Sequence, residues 1–350
     1  MSKHVAVITT GGTIGAVITG TAIVSGAHLS RLASEIDQVK VSKGLSVEVF
    51  PIFEKMSEDM LPSDWGVIIR SVQDLISQGY QSIVMTHGTD TMAYAAAAIA
   101  LYFNDNRQGA KICLTGAFYP IESPQSDARI NLEAALDVVT SAALPSGVYV
   151  SFRQEQSEVS IYHGLEIIPM SFDGSTFGAM YGRPAARYRD GKIRDIQPRF
   201  LNVLADCDVP HPQSFQTVGR HIHQVSSYPG LDLSPFATPA PENRLILVGG
   251  YHCGTASSLR GMGSLIDFKQ RNPHIQIALS CVPSVFIEIP YQSTVTLMDA
   301  GISVYRDLSP LVLYVLSTCR FAMGVSFDEL LSPAAPWVLN ARSKTSSFTK

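Results

Sequence analysis

Short β-branched and apolar runs, each ending in a glycine-bearing polar turn and then a helical stretch, recur through the first half of this chain. That alternation leaves few folds open. His4 to Thr10 is one such run, followed by Gly11-Gly12-Thr13-Ile14-Gly15. Ser82 to Thr86 is another; it passes through His87-Gly88-Thr89-Asp90-Thr91 into the alanine-rich stretch Ala93 to Leu101. Lys111 to Thr115 ends in Gly116-Ala117, after which the pattern predicts a helix from Ser126 to about Ser141 and a strand from Ser146 to Phe152. Leu45 to Phe53 predicts a further strand, and Pro62-Ser63-Asp64-Trp65 a helix start, capped by Ser63 and running from Asp64 to Ser77. Strands joined through helices on short links predict a mainly parallel sheet covered by helices on both faces.

The second half changes character. From Gly191 to Pro241 periodicity lapses, and prolines at 198, 210, 212, 229, 235, 239 and 241 mark a connecting segment. A strand over Arg244 to Val248, a helix from about Ala256 to Gln270 and a strand over Ile275 to Ser280 follow. Thr294 to Ala300 and Leu308 to Arg320 read as further helices. At 350 residues the chain suits two domains. The expected organisation is a larger N-terminal α/β domain over 1–190, a linker over 191–241, a smaller C-terminal α/β domain over 242–336 and a tail over 337–350.

Composition narrows the function classes. With 46% hydrophobic and 16% charged residues there is ample material for a packed core. A formal net charge of −4 and the lack of any Lys/Arg run argue against a nucleic-acid partner. No apolar run is long enough to span a bilayer, and no secretory leader is evident, so a cytoplasmic location is expected. The five cysteines, Cys113, Cys207, Cys253, Cys281 and Cys319, form no C-x-x-C pair and read as reduced thiols. No motif asks for a metal or cofactor.

Thr13 emerges just past the carboxyl end of the first strand, where open α/β sheets bind their ligands. A hydroxyl on a glycine-flexed turn is a candidate nucleophile, provided a base and an oxyanion donor stand nearby. Thr89 and Asp90 sit at a helix start, where a carboxylate also complements the helix dipole. Taken together, T-G-G-T-I at 10–14 and H-G-T-D-T at 87–91 resemble the two signatures of the bacterial-type L-asparaginase/glutaminase family. Ser57-Glu58-Asp59-Met60 is similar to that family's S-[QE]-[DN]-M loop. Ser126-Asp127-Ala128-Arg129-Ile130-Asn131-Leu132 is similar to its S-D-G-x-x-N-L, with Ala128 at the glycine, and Gln292 to Leu308 follows its small C-terminal domain.

The resemblance implies a mechanism and a set of roles. Thr13 would attack the side-chain amide of a small amino-acid amide, forming an acyl-enzyme and releasing ammonia. Water activated near Thr89 would discharge it. Asp90 and Glu58 would hold the substrate's ammonium group and Ser57 its α-carboxylate, with Gly12 and Ala117 completing the cradle. A homodimer or homotetramer is also implied.

Two departures stand out. Where the family carries a lysine in a D-V-T-K-T stretch, Glu158-Val159-Ser160 leads to Ile161, and no lysine occurs between Lys111 and Lys192. His163, two residues on, is a candidate replacement base or an ordinary loop histidine. The family's lid tyrosine has no counterpart in Gly15 to His28, which reads as a loop. An amino-acid-binding protein without catalysis, or an altered acyl-transfer or lyase activity on the same fold, therefore stands as the alternative to an asparagine- or glutamine-type amidohydrolase.

Overall fold

The structure, a computed structural model, describes residues 4–24, 29–103, 109–154, 158–170, 176–197, 210–238, 243–261, 263–282, 289–306 and 308–332. The chain divides into two compact units, the first extending to Val209 apart from Met180–Gly182, the second comprising Met180–Gly182 and everything from Pro210. The first unit begins with β1 (His4–Gly11), a small hairpin of β2 (Val17–Thr19) and β3 (Ala22–Val24), α1 (Leu29–Lys43) and β4 (Ser46–Lys55). It continues with α2 (Pro62–Ser77), β5 (Ser82–Thr86), α3 (Thr89–Phe103), β6 (Lys111–Thr115), α4 (Ala128–Thr140) and β7 (Gly147–Arg153). β8 (Val159–His163), the short pair β9 (Ile167–Ile168) and β10 (Gly178–Ala179), β11 (Ala186–Arg189) and β12 (Lys192–Arg194) complete it.

Eight of these strands form one sheet in the order β12-β11-β8-β7-β6-β5-β1-β4. The five from β4 to β7 are parallel, as the strand–helix alternation predicts, whereas β8, β11 and β12 extend the sheet antiparallel. β1 lies between β4 and β5, so the chain leaves it on one side and returns on the other. The crevice beyond the carboxyl ends of β1 and β5 is thus the switch point at which such sheets bind ligands.

Burial explains the elements. Val5 to Thr10 of β1 are buried on both faces, the environment of a central parallel strand. α3 is buried along almost its whole length, and its alanines bring the backbone close to neighbouring chain: a Cβ on Gly164 would meet the Ala96 carbonyl oxygen at 2.9 Å. α1 and α4 cover the other face, where Leu32, Ile36, Val39, Leu132 and Leu136 join Val5, Val7, Val84 and Tyr149 in one core. α2 starts differently from the Ser63 cap expected: Pro62 opens it, and Asp64 Oδ2 accepts the Leu61 N–H at 2.8 Å.

The second unit is built on a four-stranded parallel sheet, β13 (Ile222–Ser226), β14 (Arg244–Gly249), β15 (Ile275–Ser280) and β16 (Ser303–Tyr305), in that order. α5 (Leu265–Arg271), α6 (Gln292–Asp299), α7 (Pro310–Ala322) and α8 (Phe327–Leu330) accompany it. Two expectations need correction. The segment 191–241 is not all linker, because β12 pairs into the first sheet and β13 forms the edge of the second. The helix expected from Ala256 is confined to Leu265–Arg271, since Gly261 and Gly263 adopt positive φ before it and Ser264 caps it by accepting the Asp267 N–H.

Cys113, Cys281 and Cys319 are buried and Cys253 is partly buried, all as free thiols; burial pushes the Cys113 thiol up to about 12. Cys207, residues 25–28 of the expected loop and the expected tail 337–350 lie outside the described residues. Among those described, no helix is long and apolar enough to cross a membrane.

Candidate active site

Three turns converge at the carboxyl ends of β1, β4 and β5. Gly11 and Gly12 both take positive φ, +97° and +79°, which turns the chain sharply off β1. The Gly12 N–H donates to the Lys55 carbonyl oxygen at 3.0 Å, tying this turn to the end of β4. A Cβ on Gly12 would lie 2.4 Å from the Gly88 nitrogen, and one on Gly88 would lie 2.5 Å from Ser57 Oγ. Backbone therefore packs directly on backbone from the T-G-G-T turn to the H-G-T turn, and Gly88 packs on Ser57. The Thr91 hydroxyl adds a bond to the Ser57 carbonyl oxygen at 2.8 Å.

This packing selects among the threonines. Thr9 and Thr10 are buried, and the Thr10 hydroxyl is spent on the Thr86 carbonyl oxygen at 2.9 Å. Thr13, opening the short 3-10 turn Thr13–Gly15, is only partly buried. Thr89 is likewise partly buried at the first position of α3, while the carboxylates of Glu58 and Asp90 are exposed. Ser57 is 2% exposed and Ala117 1%, so both belong to the packed floor of these turns. A Cβ on Gly116 would lie 2.5 Å from the His87 carbonyl oxygen, which brings the β6 turn carrying Ala117 beside the H-G-T-D-T turn.

His163 does not join them. It pairs with Tyr149, Tyr149 with Cys113, Cys113 with Val84 and Val84 with Val7. His163 thus lies on the rung of Val7, four strand spacings from β1, about 19 Å across the sheet, and it is set back from the rung of Thr9 that precedes the turns. The ring is buried against Tyr149, at 5.2 Å between centroids. It is a core residue of β8, which corrects the expectation of a replacement base. Ile161 is fully buried on the last rung before the turns, level with Thr9, Thr86, Thr115 and Ser151. Ahead of it, Glu158 bridges Arg187 and Arg189 of β11, and the hydrogen bond from Arg189 leads in holding its carboxyl below the ordinary range.

Two supporting groups hold these turns in place, the first of them without a mark in the sequence pattern. Lys55 Nζ grips Asp64 Oδ1 and Oδ2 at 2.8 and 2.9 Å, closing the loop that carries Ser57 and Glu58. Its carbonyl oxygen is the one that anchors Gly12, so one residue ties the two turns. Lys55→Met is expected to raise KM several-fold in steady-state assays with little change in kcat, and to lower stability by about 1 kcal/mol. The second group explains Ser126 to Leu132. Asp127 Oδ1 accepts the Phe118 N–H at 2.8 Å, and Asn131 Nδ2 donates to the Gly116 carbonyl oxygen at 3.0 Å and Asp127 Oδ2 at 2.9 Å. Asn131 Oδ1 accepts the Arg153 N–H at 2.7 Å. Asn131→Leu leaves these buried groups unpaired and is expected to cost about 3 kcal/mol in denaturant unfolding.

Residues 4–194 match the family model described as "Asparaginase, N-terminal". The chain is 33% identical over 162 residues to the D-type subunit of glutamyl-tRNA(Gln) amidotransferase from Pyrobaculum aerophilum, covering 46% of this chain and 37% of that protein. With its namesake from Saccharolobus solfataricus the identity is 26% over 331 residues, covering 89% of this chain and 70% of that one. The chain spans between 37% and 54% of the length of the corresponding proteins from P. aerophilum, Methanococcus vannielii and Aeropyrum pernix. The thermostable L-asparaginase of Thermococcus kodakarensis shares its fold with a TM-score of 0.68 at 23% identity, covering 91% of this chain and 93% of that one. A probable cytoplasmic L-asparaginase of Campylobacter jejuni does so with a TM-score of 0.69 at 20% identity, covering 92% and 95%. A model match over more than half of the chain, on the unit that holds the three converging turns, establishes that this protein belongs to the asparaginase family.

Proposed function

We propose that this protein hydrolyses the side-chain amide of asparagine, glutamine or a related amino-acid derivative through an acyl-enzyme on Thr13. The observation that carries this reading is the direct packing of Gly12 on Gly88, which makes the Thr13 and Thr89 turns neighbours. Thr13 Oγ bonds to the amide carbon and its proton passes to the nitrogen. The carbon–nitrogen bond then breaks and ammonia leaves. Water held at Thr89 attacks the ester, returns a proton to Thr13 Oγ and releases the carboxylic acid. Asp90 and Glu58 pair with the substrate's ammonium group, and Ser57 with its α-carboxylate. A homo-oligomer completes the proposed working form.

Ile161, apolar and buried on the last rung beneath the turns, favours a second reading in which the site binds an amino acid without turning it over. The altered acyl-transfer alternative is a third, in which the acyl group on Thr13 passes to an amine rather than to water. Ammonia release from L-asparagine and L-glutamine, with and without hydroxylamine, separates the three. Hydrolysis gives ammonia in water. Transfer gives faster hydroxamate formation than hydrolysis. A thermal shift with aspartate and no product from either amide would favour binding alone.

A further inference from the structure

His87 belongs to the H-G-T-D-T stretch but has no step in the reaction above. Its ring is fully buried, with Nδ1 2.8 Å from the Gly88 carbonyl oxygen. A carbonyl oxygen only accepts, so Nδ1 carries the proton. Burial pushes the imidazole pKa below its ordinary value, against a smaller opposing effect of the Gly88 bond. The ring is therefore neutral and Nε2 is a bare acceptor, buried with no partner among the described residues. Leaving such an acceptor unpaired carries an uncompensated desolvation cost. A fold keeps that cost where the other ring nitrogen has work to do.

The work concerns the next peptide. Gly88 has no side chain to restrain its own rotation, because a Cβ there would strike Ser57. Its backbone also abuts Gly12, so its orientation sets the junction of all three turns. The peptide between Gly88 and Thr89 is planar, with its oxygen and its N–H pointing in opposite directions. Holding the oxygen on a buried ring turns the Thr89 N–H away from the interior. Thr89 is the first residue of α3, so its N–H has no acceptor within the helix.

We propose that His87 is a positioning residue that locks the Gly88–Thr89 peptide, presenting the Thr89 N–H and hydroxyl to the substrate amide. Its catalytic consequence rests on the amidohydrolase reading; the lock itself does not. The side-chain nitrogen of asparagine can stand close to where His87 Nδ1 stands, whereas that of glutamine reaches toward Nε2. His87→Asn should keep kcat for ammonia release within about threefold of wild type. His87→Gln and His87→Leu should lose about ten- to a hundredfold in kcat with KM nearly unchanged. An equal fall in all three variants, or none in the last two, would overturn the proposal.

A readout independent of turnover separates this from failure of the amidohydrolase reading. In 15N-labelled protein, His87 should show the Nδ1–H tautomer, and the Thr89 amide should show a clearly lower 15N order parameter in His87→Leu than in His87→Asn. Equal Thr89 order parameters in the two variants would refute the lock even in a protein that cleaves no amide. The expected difference, found in a protein that releases no ammonia, would uphold the lock and reject the amidohydrolase.

Discussion

Thr13→Ala is expected to cut ammonia release at least about a thousandfold, the loss that follows when a covalent nucleophile is removed and the rest of the site remains. The protein should stay folded, because Thr13 sits partly exposed on a turn beyond the core. Substrate should still bind, since Ser57, Glu58 and Asp90 are untouched. A thermal-shift titration with asparagine would then give an affinity close to that of wild type. Thr13→Ser keeps the hydroxyl and should retain measurable turnover, which distinguishes loss of the nucleophile from loss of the side chain's bulk. The same assay on Thr10→Ala provides the contrast. Its hydroxyl is committed to the Thr86 carbonyl oxygen inside the sheet, so the change should lower stability by about 1 kcal/mol while leaving the reacting group in place.

Gly12→Ala should be nearly as damaging by a different route. The new Cβ would fall 2.4 Å from the Gly88 nitrogen and 2.5 Å from its Cα, both backbone atoms that no rotamer change can move aside. Residue 12 also sits at φ +79° and ψ 177°, a region essentially confined to glycine that costs another residue about 1–3 kcal/mol. Overpacking adds about 1–3 kcal/mol. The two turns must separate, and a displacement on the order of 1 Å costs about a hundredfold in rate. Activity should fall at least that far, with a lowered unfolding midpoint. Gly20→Ala is the control: φ is +62° there too, but nothing lies within 4 Å of the added Cβ. It should show the conformational cost alone, with turnover intact.

What is legible in the sequence follows from the physics of each element. β1 and β5 can be read because central parallel strands are buried on both faces and show as unbroken apolar runs. The turns after them can be read because glycine and threonine are unusual at the end of such runs. α1 goes unread, because the glycine-rich segment before it hides its start, although Leu32, Ile36 and Val39 fall at helical spacing on its buried face. The antiparallel strands β8, β11 and β12 leave no comparable trace, because pairing direction is not encoded in one strand's pattern. His163 is misleading for that reason. Two residues beyond Ile161 reads as nearby along the chain, yet β8 runs against β7, so each step past Ile161 moves about 3.3 Å away from the site. The Lys55–Asp64 clamp is equally hidden, since a nine-residue separation becomes a contact only when a loop closes on itself.

A covalent link between substrate and Thr13 is the centre of the proposed reaction, and that link can be observed. Protein mixed with asparagine or glutamine should be quenched in acid within milliseconds, digested and mapped by mass spectrometry. The expected result is a mass increase of one aspartyl or glutamyl group on the peptide that carries Thr13, absent from Thr13→Ala. Steady ammonia release with the acyl group on another residue, or with none while Thr13→Ala turns over at the wild-type rate, would contradict it.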